Sequence, residues 1–435
     1  MSTPSPVHTA DPADETHLPR RAWAAVSVLA VVGTLNYADR FLPAVLAEPI
    51  REDLSLSDTA IGVINGFGFL AVYALVGIPI ARISDRGAYG LVISGCLSLW
   101  GVMTMLGGAV QSGFQLALTR VGVAVGEAGS TPAAHAYVAR NFAPERRAAP
   151  LAVITLAIPL ASAASLIGGG LLAQALGWRT AFVVMGTLSV AFVPVVLAVM
   201  GRRQSPLADP SPSPRQAGPW WEILRKPSYL AIVTGAACVS VAGYALTTFA
   251  PAFLMRARGM SLGEVGLQYG IASGVTGILG LLVVGRVADR LSGVDPRWLL
   301  WLVAAMTAAL LPFSTLGFVV ESSGLAVCFI ALSYVVGTAY MAPSIAAIQR
   351  LVPAEQRATA SAIFLFFSAI VGSAGPFVTG LISDALKADL GNMSLQRALL
   401  VVVPVMHLAA IASYLVASRL FIRGIVVDPQ AAVTR

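Results

Sequence analysis

The chain has 435 residues, 57% of them hydrophobic and only 11% charged. Soluble domains carry about 25% charged residues, so this composition excludes a string of soluble domains and reads as a membrane protein. The net charge of +7 comes from basic residues scattered singly between apolar runs, with no basic stripe or groove-reading motif, which excludes a nucleic-acid partner.

Residues 1–21 come first, rich in Pro, Thr and Asp and without the apolar core of a cleaved signal peptide, and are expected to form a disordered cytoplasmic tail. Twelve apolar runs long enough to span a bilayer follow, at 22–47, 58–81, 88–110, 113–139, 147–174, 179–200, 228–254, 262–285, 297–319, 323–349, 358–383 and 396–420. The Pro/Ser/Arg-rich segment 201–227 cannot build a core and reads as a cytoplasmic linker. The expected organisation is therefore a six-helix bundle over 22–200, a second over 228–422, and a cytoplasmic tail over 423–435.

Counting Lys and Arg with the N-terminus inside gives 20 on the cytoplasmic side and 6 on the other, with Arg40 and Arg120 left within the membrane. That bias predicts a multi-pass protein of the inner membrane with both termini cytoplasmic. The three cysteines, Cys96, Cys238 and Cys328, lie in apolar runs without metal-ligand spacing and read as small packing residues.

The two bundles repeat one another. Arg82–Arg86 (RISDR) after the second run matches Arg286–Arg290 (RVADR) after the eighth, and Pro144–Ala148 before the fifth resembles Pro353–Ala358 before the eleventh. Two features in one order at nearly one offset indicate a duplicated six-helix unit. Carriers built from such repeats bind substrate at the membrane midplane between the halves.

With these motifs the chain resembles the major facilitator superfamily. Asp85 and Arg86 keep the acid–base pair of that family's loop between helices 2 and 3, although Ala81 replaces its first glycine and the trailing basic pair is absent. The stretches LNYADR in helix 1, LSDTAIGVINGFGFLAVYALVGIPIARISDR across helix 2 and RVGVAVGEAGSTPAAHAYVA in helix 4 resemble the Spinster group within it. The resemblance implies an all-α membrane protein of twelve helices in two pseudo-symmetric six-helix bundles. It also implies a secondary transporter working by alternating access, proton-linked or facilitative, that carries a lysophospholipid or sphingoid lipid. NYxDR together with R…GEA is shared with symporters of hexuronates and related acids, so a small organic anion is the alternative substrate.

Asp39, Arg40, Arg120 and Glu127 are the four ionisable residues near the centres of the first and fourth helices. A midplane charge costs about 2.5–3.5 kcal/mol on insertion scales, so the four must face one another or water. Arg120 and Glu127 are seven residues apart on one helix face. Asp39 and Arg40 are neighbours, turned about 100° from each other, so one is expected to serve the proton site and the other the substrate. Glu127 is the expected principal proton carrier with Asp39 as partner. Arg40 and Arg120 offer guanidinium forks for an anionic head group, and Asn36, Tyr37 and His135 add hydrogen bonds. The competing reading is a set of ion pairs that locks helix 1 to helix 4.

The second half has no carboxylate or arginine near its helix centres. It is expected to supply an apolar, aromatic wall through Thr247, Tyr340 and Phe364. An ionic wall opposite an apolar one suits an amphipathic anion, carried with protons through the lipid bilayer by a monomer that needs no cofactor or metal. Closure on the cytoplasmic side, by the resemblance, sets Asp85 and Arg86 against Arg357, and Asp289 and Arg290 against Arg147. The sequence contains no nucleophile–base arrangement, metal spacing or phosphate loop, so an enzyme is not expected; a non-transporting membrane sensor remains a further alternative.

Overall fold

The computed structural model describes residues 12–69, 72–73, 75–76, 88–143, 146–201, 219 and 221–425. The expected tail over 1–21 and linker over 201–227 fall in large part outside them, as do Asp85 and Arg86. Described residues are helical almost throughout, with no strand among them.

Twelve membrane helices are numbered here in chain order. α1 (Pro12–Val45) is followed by a short surface helix, Ala47–Asp53. α2 opens at Asp58–Gly62 and continues through Val63–Phe67. α3 is Tyr89–Gly107, and α4 runs as Gly113–Glu127 and then Ser130–Asn141. α5 is Ala149–Leu176 and α6 is Trp178–Met200, completing the first half. The second half comprises α7 (Pro227–Arg258), α8 (Leu262–Val294), α9 (Trp298–Val319), α10 (Ser323–Arg350), α11 (Thr359–Ala385) and α12 (Ser394–Gly424). Ten of these are long and apolar enough to span when only the described residues are counted. α2 is described only in part, and α4 is interrupted after Glu127.

Interruptions recur at matching places in the two halves, as duplication requires. Wide helical turns occupy Val63–Phe67 in α2 and Val265–Tyr269 in α8, 202 positions apart. α4 breaks before Ser130 and α10 breaks at Tyr340, 210 positions apart. Such irregular turns often mark functional positions in helices, and those of α2, α8 and α10 fall on helices that line the boundary between halves.

With twelve spans both termini lie on one face, called here the terminal face. The apolar core shows how the halves sit relative to each other. Toward the terminal face it is split into a first-half cluster, including Leu29, Ile93 and Trp100, and a second-half cluster, including Tyr229, Ile348 and Tyr414. Toward the opposite, far face one cluster runs across both halves, joining Leu42, Leu46 and Phe182 to Phe249, Phe253 and Leu399. Among the described residues, shared packing at one face and largely separate cores at the other leave a V whose mouth opens to the terminal face.

The far-face seal depends on small residues where backbones approach. A Cβ placed at Gly62 of α2 would lie 2.3 Å from the Pro376 carbonyl oxygen of α11. Only glycine fits that contact, so the GFG-containing start of α2 sets how closely the halves can meet. The second half also holds the end of the linker: Ile223 is fully buried in its core, and the Lys226 ammonium donates to the Leu351 carbonyl.

Candidate functional site

The NYADR stretch of α1 puts its charges at mid-depth, and the structure separates them into two ion pairs. Asp39 turns toward α3 and α4, where Oδ1 accepts from Arg120 Nη1 at 2.8 Å and Oδ2 accepts from the Thr104 hydroxyl. Arg40 turns toward the boundary between halves, and its Nη2 and Nε donate to Glu127 Oε2 at 2.8 and 3.2 Å. The helical offset between neighbouring residues is the cause: one backbone position sends an acid into the half and the next sends a base out of it.

The pairs differ in access. Asp39, Arg120 and Glu127 have side-chain exposures of 0%, 4% and 0%, whereas Arg40 keeps 20%. Arg40 is also ringed by aromatics, with its guanidinium carbon 5.1 Å from the Tyr37 ring centre, 5.2 Å from Phe69 and 4.7 Å from Tyr73. Arg120 contacts the same Phe69 ring at 5.1 Å. Each such contact is worth roughly 0.5–2 kcal/mol, so the aromatic cage holds Arg40 in place without neutralising it. Glu127 Oε1 is buried with no hydrogen-bond partner among the described residues, which leaves one carboxylate oxygen uncommitted.

A cavity of about 470 Å³ lies between the halves. From the first half Tyr37, Arg40, Asn65, Phe69 and Thr155 line it; from the second, Ser240, Tyr244, Thr247, Thr248, Thr338 and Tyr340. Of the expected substrate residues, then, Arg40, Tyr37, Thr247 and Tyr340 stand on its wall. His135 lies instead on an adjoining pocket of about 150 Å³, shared with Tyr37, Gly33 and Thr155.

Three placements correct the sequence reading. Phe364 is fully buried in the second-half core with Val336 and Tyr340, because its helix face packs against α7 and α10 rather than the cavity. Arg120 is held behind the wall by Asp39 and is not open to the cavity. Asn36 is 1% exposed and likewise does not line it. The second-half wall is also less apolar than expected, since hydroxyls at Ser240, Thr247, Thr248 and Tyr340 interrupt it. Ser240 and Tyr340 hydrogen-bond to each other at 2.8 Å, and Thr247 donates to the Gly243 carbonyl.

A second ionic cluster, which sequence reasoning missed, closes the far face. Arg256 at the end of α7 donates through Nη1 and Nη2 to both carboxylate oxygens of Asp58, at 2.8 and 2.7 Å, and through Nε to Glu48. Ser383 of α11 donates to Asp58 at 2.6 Å. Asp384 accepts from the backbone N–H groups of Asp58 and Thr59 at 3.0 and 2.8 Å, capping α2 from the other half. The signal was a carboxylate on each of two far-face helix starts opposite a basic helix end, but charges in short loops read first as topology markers.

On the terminal face the expected pairing of Asp289 with Arg147 is not made. Arg147 donates to the Phe142 and Ala139 carbonyls of its own half, while Asp289 and Arg290 are exposed on α8. Arg357 opens the helix of α11. Asp85 and Arg86 lie outside the described residues.

Two helical halves, a seal at one face and a substrate-sized cavity at mid-depth define a carrier of small molecules across a membrane. Residues 29–376 match the Major Facilitator Superfamily, and the chain belongs to it. It is 68% identical over 426 residues to the "MFS-type efflux pump" of Mycolicibacterium smegmatis, covering 98% of this chain and 99% of that one. It is 27% identical to human "Protein spinster homolog 1", covering 85% of this chain and 75% of that one. Among solved structures, a bacterial homolog of the human lysosomal transporter Spinster, inward-facing and unoccupied, superimposes with a TM-score of 0.84 at 25% identity, over 94% of this chain and 99% of that one. The Spinster resemblance drawn from helices 1, 2 and 4 agrees with these relatives. Membership places the chain among multi-pass membrane transporters.

Proposed function

We propose that this transporter moves an amphipathic anion, such as a lysophospholipid or sphingoid phosphate, by proton-coupled alternating access. One observation carries the reading: among the described residues that line the cavity, Arg40 is the only charged one, and its partner Glu127 is buried behind it. A substrate anion and the Glu127 carboxylate therefore compete for one guanidinium. Protonating Glu127 removes the competitor, so anion binding tightens as pH falls and weakens as pH rises; in the same way, a bound anion favours proton uptake at Glu127. Asp39 is the secondary proton site, shielded by Arg120 and Thr104.

The wall opposite Arg40 supports a two-sided substrate, with the head group on Arg40 and the body along Tyr244, Thr247 and Tyr340. Its hydroxyls also favour a second reading, a compact organic anion of the hexuronate kind. Competition of the two compounds for one site separates the readings. The positive-inside count supports cytoplasmic termini, so the open face would be cytoplasmic and the sealed one external. Closure of the cytoplasmic face would then bring Asp85 to Arg357 and Asp289 to Arg147, with Arg86 and Arg290 beside them, in a monomer. The efflux description of the M. smegmatis relative supports outward movement.

The test is transport by the full chain in proteoliposomes. Glu127→Gln should leave substrate exchange measurable but flatten its dependence on pH. A pH profile identical to the unmodified protein would overturn the assignment. Imposing a pH gradient of either sign on loaded vesicles shows whether the proton travels with the substrate or against it.

A further inference from the structure

Tyr244 belongs to α7, in the half without midplane charges, yet its ring packs against the first-half cluster that includes Phe69 and Tyr73. It is seated from behind by Gly372 of α11, where a Cβ would lie 2.9 Å from the ring carbons Cδ2 and Cε2. The ring can therefore lean across the boundary only because position 372 carries no side chain. Tyr244 lines the cavity and lies within electrostatic range of the Arg40 guanidinium and of the Tyr37 and Tyr73 phenols.

Most other hydroxyls on that wall are already committed. Ser240 is bonded to Tyr340, Thr247 to the Gly243 carbonyl, Thr338 to the Tyr334 carbonyl, and Tyr334 to Ser162. The Tyr244 hydroxyl has no hydrogen-bond partner among the described residues. A free donor beside Arg40, the only cation among the described residues that line the cavity, but mounted on the other half, is suited to an acceptor that both can reach.

We propose that Tyr244 completes the anion site from the second half, so that an oxyanion of the substrate is held between the Arg40 guanidinium and the Tyr244 hydroxyl. The inference rests on the reading of Arg40 given above and deepens it. Arg40 gives the attraction and Tyr244 gives the join: the substrate's acidic group becomes the link that draws the two halves together over the cavity. Phosphate esters and carboxylates both present the required oxygens, whereas an alcohol of the same chain length presents no negative charge.

The experiment measures binding of octyl phosphate, octanoate and octanol to the full chain in a nonionic detergent. The unmodified protein should prefer both anions over octanol, and the stronger of the two identifies the head-group source. Tyr244→Phe keeps the ring and its seat against Gly372 but removes the donor. It should weaken binding of that anion by roughly tenfold or more, the worth of a hydrogen bond to a charged group, and leave octanol unchanged. Arg40→Gln should abolish the preference for anions; if the preference persists, the reading of Arg40 itself fails. If Arg40→Gln loses the anions while Tyr244→Phe binds them as tightly as the unmodified protein, Arg40 stands and the bridge is overturned. Spin labels on the terminal face of each half supply a readout that simple packing would not move. Octyl phosphate should shorten the distance in the unmodified protein and, even at saturation, leave it unchanged in Tyr244→Phe. Equal shortening in both proteins also overturns the bridge.

Discussion

The arginine–carboxylate pair at mid-depth and the cluster at the far face differ in what they connect. At mid-depth Asp39, Arg120 and Thr104 lie within the first half, joining α1 to α3 and α4. At the far face Arg256, Asp58 and Glu48 lie across the boundary, joining α7 to α2 and to the short helix before it. A pair inside one rigid body keeps its geometry when the bodies move, so it contributes to stability. A pair between bodies must break whenever that face opens, so it sets the balance between states. Chemical likeness thus conceals opposite roles, and position relative to the boundary separates them.

Breaking the internal pair should give the largest effect on stability. Asp39→Asn or Arg120→Gln leaves an uncompensated buried charge, which costs about 3–5 kcal/mol. The double replacement, leaving none, should cost clearly less than the sum of the singles. Thermal unfolding of the purified variants measures this; additive losses would show that the pair is not coupled.

The boundary pair should behave the other way. Arg256→Gln should alter thermal stability less than Arg120→Gln but shift the population toward a state open at the far face by roughly tenfold, equivalent to about 1.4 kcal/mol. Labelling of cysteines introduced at the far-face ends of α2 and α11 reports the shift. Unchanged labelling would return Arg256 to a merely structural role.

Gly62→Ala tests the same seal without charge. The added methyl meets the Pro376 carbonyl oxygen at 2.3 Å unless the helices separate, and overpacking of this kind typically costs about 1–3 kcal/mol. Its labelling should move in the same direction as that of Arg256→Gln. The smallest effect should come from Arg179→Gln. Arg179 pairs with Asp53 inside the first half, with both side chains about two-fifths exposed, and exposed pairs are worth about 0.2–1 kcal/mol. Neither unfolding nor labelling should change much, which makes it the control for the other three.

The twelve runs and the duplication were legible because bilayer thickness demands long apolar segments and duplicated halves retain matching loop motifs. Boundaries were less so: α7 continues to Arg258 and α8 to Val294, beyond the apolar runs that end at 254 and 285, since a helix does not stop where its hydropathy does. The four midplane charges were also legible, because a charge within an apolar run is conspicuous. Their pairing was not. Arg40 with Glu127 and Arg120 with Asp39 cross between helices that only packing brings together, and the sequence equally permitted one four-membered set. Tyr244 and Phe69 were hidden among other aromatics, and Phe364 was assigned to the cavity though it faces the core.

The sequence by itself determined that this is a duplicated twelve-helix membrane protein with two acids and two bases at its midplane, because the bilayer penalises every other arrangement of such segments. Tertiary structure alone decided which charge reaches the cavity, which is sealed behind it, and which ion pairs cross the boundary. Those outcomes depend on the rotation of each helix about its axis and on contacts between residues up to 326 positions apart, which local composition does not encode.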